Sequence, residues 1–273
     1  MPELPEVETV VRGLRGDVIG RIITSFRNTW PKHIAAPTPD ELSARLVGRR
    51  ILELQRRAKY LVFSLSDGET LLIHLKMTGH LSVVAAGQPL SKHDHTVFGL
   101  DNGRELRFRD MRKFGKVYLV RDPATILGKL GPEPLSDAFG VDDLRARLAG
   151  RGQKLKPLLL DQTFLAGVGN IYADEALFHA GLHPERRANR LSEAEVRRLY
   201  GAIRHVLALG IAREGASIDS YVKPDGAKGD MQNAVMVFRR TGAPCYLCGA
   251  PIQRYVLNQR STHYCPVCQP VSD

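Results

Sequence analysis

The first 244 residues of this 273-residue chain contain no cysteine, and acidic residues are in short supply, 29 against 39 lysines and arginines. Without cysteines most of the chain has no disulfide framework, so its stability must come from buried apolar core, for which a length of one large or two ordinary domains suffices. No apolar run approaches the ~18 residues of a spanning helix, and no basic start opens onto an apolar stretch as in a secretory leader. We therefore expect a soluble cytoplasmic protein with no membrane partner. Internal repeats and low-complexity tracts are missing as well. The shortage of acid points towards something: a net charge of +10, spread through every segment, favours a polyanionic partner such as nucleic acid, although basic enzymes without one are common.

What is present begins at the first residue. Loss of Met1 from Met1-Pro2-Glu3-Leu4 leaves Pro2 as a free secondary amine beside a carboxylate. An α-amino group has a pKa of ~7.7–8.0 against ~10.4 for a lysine side chain, so near pH 7 it is far more often neutral and nucleophilic. The iminium that a secondary amine forms has no N–H to lose and stays a cationic electron sink. The same stretch also reads as an ordinary helix start. Pro5 suits a first turn, Glu3, Glu6 and Glu8 suit the positive helix end, Val7, Val10, Val11 and Leu14 recur at helical spacing, and Gly16 marks the end. The readings are compatible, because a well-anchored first helix fixes the terminal amine in space.

All four cysteines stand near the C-terminus, Cys245-x2-Cys248 and Cys265-x2-Cys268, with sixteen residues between the pairs. Thiolates so spaced on tight turns can share one ion, and Gly249 follows where the chain must turn back. Four sulfur ligands close the tetrahedron and leave no position for water, so the zinc is expected to be structural, with no catalytic metal or organic cofactor. Two disulfides or a redox pair are the alternatives, and nothing else in the chain speaks for an oxidising compartment.

From Ile22 to Val120 short β-rich runs alternate with turn signals: Ile51 to Leu54, Tyr60 to Leu65, Thr70 to Leu75, Thr96 to Leu100, Glu105 to Phe108 and Lys116 to Val120. Asp67-Gly68 and Asn102-Gly103 join pairs of them as hairpin turns, and the set implies a β-sandwich or barrel with the first helix packed on it. Gly128 to Gly140 reads as a linker. Beyond it Asp142 to Ala149, Lys156 to Asp161, Ile171 to Ala180 and Ser192 to Arg213 have helical periodicity, the last opened by the capping box Ser192-x-x-Glu195. Ala216 to Gln232 is loop-like.

Several motifs now form a set: Pro2-Glu3-Leu4-Pro5-Glu6-Val7-Glu8-Thr9, Arg57-Ala58-Lys59-Tyr60, His74-Leu75-Lys76-Met77-Thr78-Gly79, Lys92-His93-Asp94-His95, Arg112-Lys113-Phe114-Gly115, Gly167-Val168-Gly169-Asn170-Ile171-Tyr172-Ala173-Asp174-Glu175, and the cysteine hairpin with Gln259-Arg260. In order and spacing, from Pro2 to Cys268, the chain resembles the formamidopyrimidine-DNA glycosylases, bacterial-type repair enzymes for oxidised purines. The resemblance implies an α+β fold: an N-terminal β-sandwich catalytic domain with a packed helix (1–130), a linker (131–141), a helical helix-two-turns-helix DNA-binding domain (142–235) and a zinc-finger hairpin (236–273).

It also implies roles. Pro2 attacks the sugar C1′ of a damaged nucleotide, Glu3 is the general acid and base, and Lys59 contacts the phosphate beside the lesion and assists catalysis; proton donation by Glu3 near neutrality requires a raised pKa, for which burial near Glu6 is the expected source. His74 and His93 touch the lesion strand. A base inside a duplex must be flipped out and its gap filled, and Met77, Arg112 and Phe114 match the family's wedge, Arg112 bonding the orphaned cytosine. Asn170, Lys156 and Arg151 are expected on backbone phosphates, with Gly167-Val168-Gly169 offering a helix N-terminus. Arg260 reaches the same strand and aids the second elimination. The partner implied is damaged double-stranded DNA, bound by a monomer in the nucleoid.

Two departures stand out: Lys113 where the family often has a second arginine, and Asp230-Met231 where the loop that folds over the flipped base usually carries an aromatic. The rival readings are an endonuclease VIII-type glycosylase for oxidised pyrimidines and a non-catalytic zinc-finger DNA-binding protein. Leu4, the Lys92-His93-Asp94-His95 run and Arg112-Lys113-Phe114-Gly115 favour the purine enzyme.

Overall fold

A computed structural model describes residues 1–271. The chain forms two compact units, Met1–Lys129 with Arg213–Asp230, and Leu130–Ala212 with the described residues from Met231 onward. Segment 213–230, grouped with the helical region by sequence, falls with the N-terminal unit, to which Ala216 and Ser220 are hydrogen-bonded.

In the first unit helix α1 (Leu4–Val18) is followed by β1 (Ile23–Asn28), β2 (Ile34–Ala36), α2 (Pro39–Leu46), β3 (Ile51–Arg57), β4 (Tyr60–Leu65), β5 (Thr70–His74), β6 (Gly79–Ala85), β7 (Asp94–Leu100), β8 (Arg104–Asp110), β9 (Lys116–Val120) and the single-turn α3 (Ala124–Leu127). The strands make a four-stranded sheet, β1-β7-β8-β6, and a five-stranded one, β2-β9-β5-β4-β3. Phe98, Leu106 and Phe108 of the first share one core with Phe63, Leu71 and Leu119 of the second, which makes a sandwich. Gly68 and Gly103, at φ +81° and +71°, close the two hairpins expected at Asp67-Gly68 and Asn102-Gly103.

Helix α1 presents Val7, Val10, Val11, Leu14 and Val18 to this core, each no more than 1% exposed. At ~1.5–3 kcal/mol per fully buried aliphatic side chain, the stripe contributes on the order of 10 kcal/mol to anchoring the helix. Gly16 does not end it. The helix runs on to Val18 and stops before left-handed Gly20 (φ +81°), because Gly16 faces open solvent where a missing side chain costs little packing. Strands β1, β2 and β6 and helix α2 escape the sequence pattern. Helix α2 had a usable signal, since Thr38 Oγ1 caps it by accepting the Glu41 N–H at 3.3 Å and Pro39 fills its first position.

The second unit holds α4 (Val141–Ala149), α5 (Leu155–Leu160), α6 (Asn170–Ala180), α7 (Glu193–Ala212) and a hairpin of β10 (Gln253–Leu257) and β11 (Arg260–Tyr264). The capping box at α7 is formed both ways, Ser192 N–H to Glu195 Oε2 at 2.7 Å and Glu195 N–H to Ser192 Oγ at 3.3 Å. Residues 131–140 have no regular structure yet pack closely: a Cβ on Gly131 would lie 2.7 Å from the Phe164 backbone. Among the described residues no helix is long and apolar enough to cross a membrane.

Candidate active site and nucleic-acid-binding residues

In the first unit the chain enters α1 through Pro2 and Glu3, both buried, behind an exposed Met1. The Glu3 N–H, unserved within the helix, donates to Glu6 Oε2 at 2.8 Å. Glu6, 1% exposed, accepts the Ala216 N–H on Oε1, also at 2.8 Å. One carboxylate therefore fastens the turn that carries Pro2 and Glu3 and the loop 213–230. Gly215 brings the loop this close: at φ +82°, a Cβ there would lie 2.9 Å from Glu6 Cγ and 3.0 Å from Tyr221 Cε1. Tyr221 joins the sandwich core, and burial together with the charge of Glu6 pushes its phenol far above the ordinary range. Ser220 Oγ donates to Met77 O at 3.2 Å, and His80 Nε2 meets Lys223 O at 3.1 Å. Sequence reasoning missed this use of Glu6, because its partner lies 210 residues away.

Ala58, at φ +53°, and Lys59 form the two-residue turn between β3 and β4, and Lys59 is only 4% exposed. His74 ends β5 opposite Tyr60, whose ring meets the imidazole edge-on at 4.6 Å. Burial, and then the charges of Lys76 and Lys59, push His74 down to about 3, so its ring is neutral at physiological pH. Its Nδ1 accepts the Lys76 N–H at 3.0 Å, which assigns the proton to Nε2 and makes that nitrogen a donor. His93, half-buried, precedes β7, and its carbonyl accepts the Asp110 N–H at 2.9 Å.

Met77 lies in the turn between β5 and β6, half-buried; exposed Arg112 and Phe114 lie in the turn between β8 and β9, with the guanidinium 4.8 Å from the phenyl ring. Asp110, fully buried, ties the two turns together. Its Oδ1 accepts from Thr78 Oγ1 at 2.5 Å and the Arg112 N–H at 3.2 Å, and its Oδ2 accepts the Gly115 N–H at 2.7 Å. Although burial opposes its charge, His33, Thr78 and the Gly115 N–H hold its pKa down at about 2. Gly79 and Gly115 let both turns cross the Phe108 ring, from which a Cβ would be 2.7 and 2.3 Å away. No local sequence pattern marks Asp110 as this anchor.

In the second unit Lys156 is 1% exposed, with Nζ 2.6 Å from Asp174 Oδ1, 2.6 Å from Ser261 O and 3.0 Å from Thr262 Oγ1. The ammonium donates to the Ser261 carbonyl and the Thr262 hydroxyl and is ion-paired with Asp174. Lys156, expected from the sequence on a backbone phosphate, is thus a buried cation held between α6 and β11. Asp174 Oδ2 also accepts the His263 N–H at 3.0 Å, so α6 is bound to β11. Asn170 opens α6 and donates from Nδ2 to Ser261 O at 3.0 Å. The preceding turn is braced by Gln162, whose Oε1 accepts the Gly167 N–H at 3.0 Å and whose Nε2 donates to Val168 O at 2.8 Å. Arg260 is exposed beside the hairpin turn, where Asn258 and Gln259 both adopt left-handed conformations. Arg151 is exposed after α4. Glu175, which the sequence offered only as the last residue of a motif, with no role, is fully buried and accepts the N–H groups of Met236, Val237 and Phe238 at 2.7 to 3.0 Å, fixing the approach to the cysteine hairpin.

The Sγ atoms of Cys245, Cys248, Cys265 and Cys268 all lie within 4.8 Å of one another, with Cys245–Cys268 at 3.9 Å and Cys248–Cys265 at 3.4 Å. A zinc–sulfur bond of ~2.3 Å requires tetrahedral edges of about 3.8 Å, so the donor set fits one zinc ion. The Leu247 and Cys268 N–H groups point at Cys245 and Cys265 Sγ, each at 3.4 Å, as thiolate acceptors require. The site is closed by four sulfurs, so the zinc is structural.

Three family models match in succession: the formamidopyrimidine-DNA glycosylase N-terminal domain over residues 1–117, the helix-two-turns-helix domain of the same enzymes over 130–222, and a zinc finger found in those enzymes and in isoleucyl-tRNA synthetases over 242–271. A formamidopyrimidine-DNA glycosylase of Herpetosiphon aurantiacus is 50% identical over 272 residues, 98% of this chain and 100% of that protein. The crystal structure of the corresponding Thermus thermophilus protein is 44% identical with a TM-score of 0.90, covering 100% of both chains. A Lactococcus lactis mutant solved in complex with Fapy-dG-containing DNA is 38% identical with a TM-score of 0.93, covering 99% of this chain and 100% of that one.

Proposed function

The chain belongs to the formamidopyrimidine-DNA glycosylase family, and we propose that Pro2, Glu3 and Lys59 are the residues with which it carries out that family's chemistry. It is a base-excision-repair enzyme of oxidised purines, a glycosylase and abasic-site lyase acting on damaged double-stranded DNA with one structural zinc. The observation that supports the residue assignment best is the first turn of α1, where buried Glu3 is held at 2.8 Å by Glu6 directly beside Pro2.

Once Met1 is gone, the neutral Pro2 nitrogen bonds to C1′ as the bond from C1′ to the damaged base breaks. Opening of the sugar then gives an iminium, and Glu3 supplies the proton that the ring oxygen takes up. The cationic nitrogen acidifies the C2′ hydrogen. Its loss expels the 3′ phosphate, a second elimination expels the 5′ phosphate, and hydrolysis of the adduct frees Pro2. Lys59 and the Nε2–H of neutral His74 supply cation and donor to phosphates beside the lesion. Met77, Arg112 and Phe114 fill the gap left by the flipped base, with Asn170, Arg151 and Arg260 on the backbone. The lesions are 8-oxoguanine opposite cytosine and ring-opened formamidopyrimidines.

Borohydride trapping on a duplex with 8-oxoguanine, run beside one with thymine glycol, tests the assignment. A covalent adduct on the purine lesion, absent from protein that retains Met1 by intact mass, is expected. Preference for thymine glycol points to the endonuclease VIII type, and no adduct with Met1-free protein removes the enzymatic reading of Pro2. The substrate also favours association with the nucleoid. A C-terminal fluorescent fusion spread evenly through the cytoplasm would count against that.

A further inference from the structure

We propose that His33 is a positioning residue for the two turns that carry Met77, Arg112 and Phe114, acting through Asp110 and Phe108. The inference rests on the reading of those three side chains as the gap-filling wedge. His33 closes the 3₁₀ turn Pro31–His33 and is fully buried. Its Nδ1 lies 3.2 Å from Thr96 Oγ1, which fixes the rotation of the ring, and its face stacks on Phe108 with centroids 5.0 Å apart. Its Nε2 faces Asp110 Oδ2 at 3.4 Å, longer than an ordinary hydrogen bond but with both groups fully buried, where a charge and a ring N–H act strongly on each other.

Asp110 and Phe108 are two residues apart on β8 and so point to one face of the strand, which is why a single imidazole meets both. Asp110 holds Thr78, Arg112 and Gly115; Phe108 lies under Gly79 and Gly115. Both turns therefore rest on two side chains that share one support. A wedge has to enter the duplex as the base leaves, and a displacement of ~1 Å in such a group costs about a hundredfold.

The lone tryptophan supplies an internal readout. Trp30 precedes the turn that ends in His33, and the ammonium of Lys113, between Arg112 and Phe114, sits 4.3 Å from its ring. The test is His33→Phe, which keeps the stacked ring and removes both nitrogens. Single-turnover excision of 8-oxoguanine is expected to fall about ten- to a hundredfold, with a changed Trp30 emission, while cleavage of a preformed abasic site stays near wild type because no base has to be displaced. Thr96→Val, which frees the ring to rotate, should act in the same direction and decides the question if His33→Phe does not fold. Wild-type excision by a folded variant, or equal loss of both activities, overturns the inference. Phe114→Ala is measured alongside. If it excises normally, the wedge reading fails and takes the inference with it; if it loses excision while the His33 variants do not, only the inference falls.

Discussion

Glu6 accepts the backbone N–H of Ala216 at 2.8 Å on one carboxylate oxygen while the other holds the Glu3 N–H. A glutamine offers one acceptor where this geometry uses two, and its amide would face a donor. Glu6→Gln should therefore destabilise the first unit by about 1.5–3 kcal/mol, the worth of a charged hydrogen bond, and lower excision of 8-oxoguanine more than cleavage of preformed abasic sites. Chemical unfolding and parallel cleavage assays give both numbers. An unchanged unfolding midpoint would mean that this carboxylate does not hold the loop.

Gly215→Ala attacks the same junction from the other side. The residue sits at φ +82°, and an added Cβ would stand 2.9 Å from Glu6 Cγ and 3.0 Å from Tyr221 Cε1, so alanine meets both backbone strain and overpacking, together on the order of 2–4 kcal/mol. Loss of thermal stability with a displaced loop is expected. A stability equal to wild type would show that the loop can move aside freely.

Glu3→Gln separates the two chemical steps. Glutamine keeps the shape of the first turn and cannot deliver a proton, so base excision should be lost while some cleavage at preformed abasic sites persists. Equal loss of both activities would reassign Glu3 from proton transfer to positioning.

What the sequence revealed, and what it hid, follows from the range of the interactions. Helical spacing in Val7, Val10, Val11 and Leu14, hairpin turns at Asp67-Gly68 and Asn102-Gly103, and the paired cysteines are local patterns, and each is present in the structure. Strands such as β1, whose residues alternate only weakly between buried and exposed, have no such pattern. The supports of the site are also invisible locally. Asp110 serves groups on two turns, Glu175 serves three N–H groups some sixty residues on, and Lys156 is enclosed by a strand 105 residues away. A lysine's chemistry suggests phosphate; only the fold reveals its burial and its pairing with Asp174.

Acid should act on stability in part through His74. Its folded pKa of about 3 lies below the ordinary 6.5, so the unfolded chain binds the extra proton between those values. Its contribution is complete above pH 6.5 and is lost as pH falls towards 3, to a total on the order of 5 kcal/mol. Asp110, also depressed, acts only lower, between its ordinary 3.8 and about 2. His74→Asn, whose Oδ1 can still accept the Lys76 N–H, should flatten the stability profile between pH 6.5 and 4 in urea unfolding. A variant as acid-sensitive as wild type in that window would clear His74 of the effect.

Lys156 and Arg260 offer a contrast between a cation buried inside the protein and an exposed one proposed to grip DNA. Each phosphate neutralised releases counterions, so removing one real contact lowers the slope of log affinity against log salt by about 0.9. Arg260→Ala, exposed beside its turn, should show that reduction with an unchanged unfolding midpoint. Lys156→Met should do the reverse. Its slope stays at the wild-type value, while Asp174 is left as a buried charge without its cation, at a cost of about 3–5 kcal/mol. Adding Asp174→Asn should recover much of that loss, because removing both members of a buried pair costs far less than removing one. Salt titrations of DNA binding and unfolding curves on the four proteins separate the cases. A Lys156→Met protein of normal stability whose salt slope falls by about one unit would return Lys156 to the phosphate backbone and require the buried pair with Asp174 to open when DNA binds.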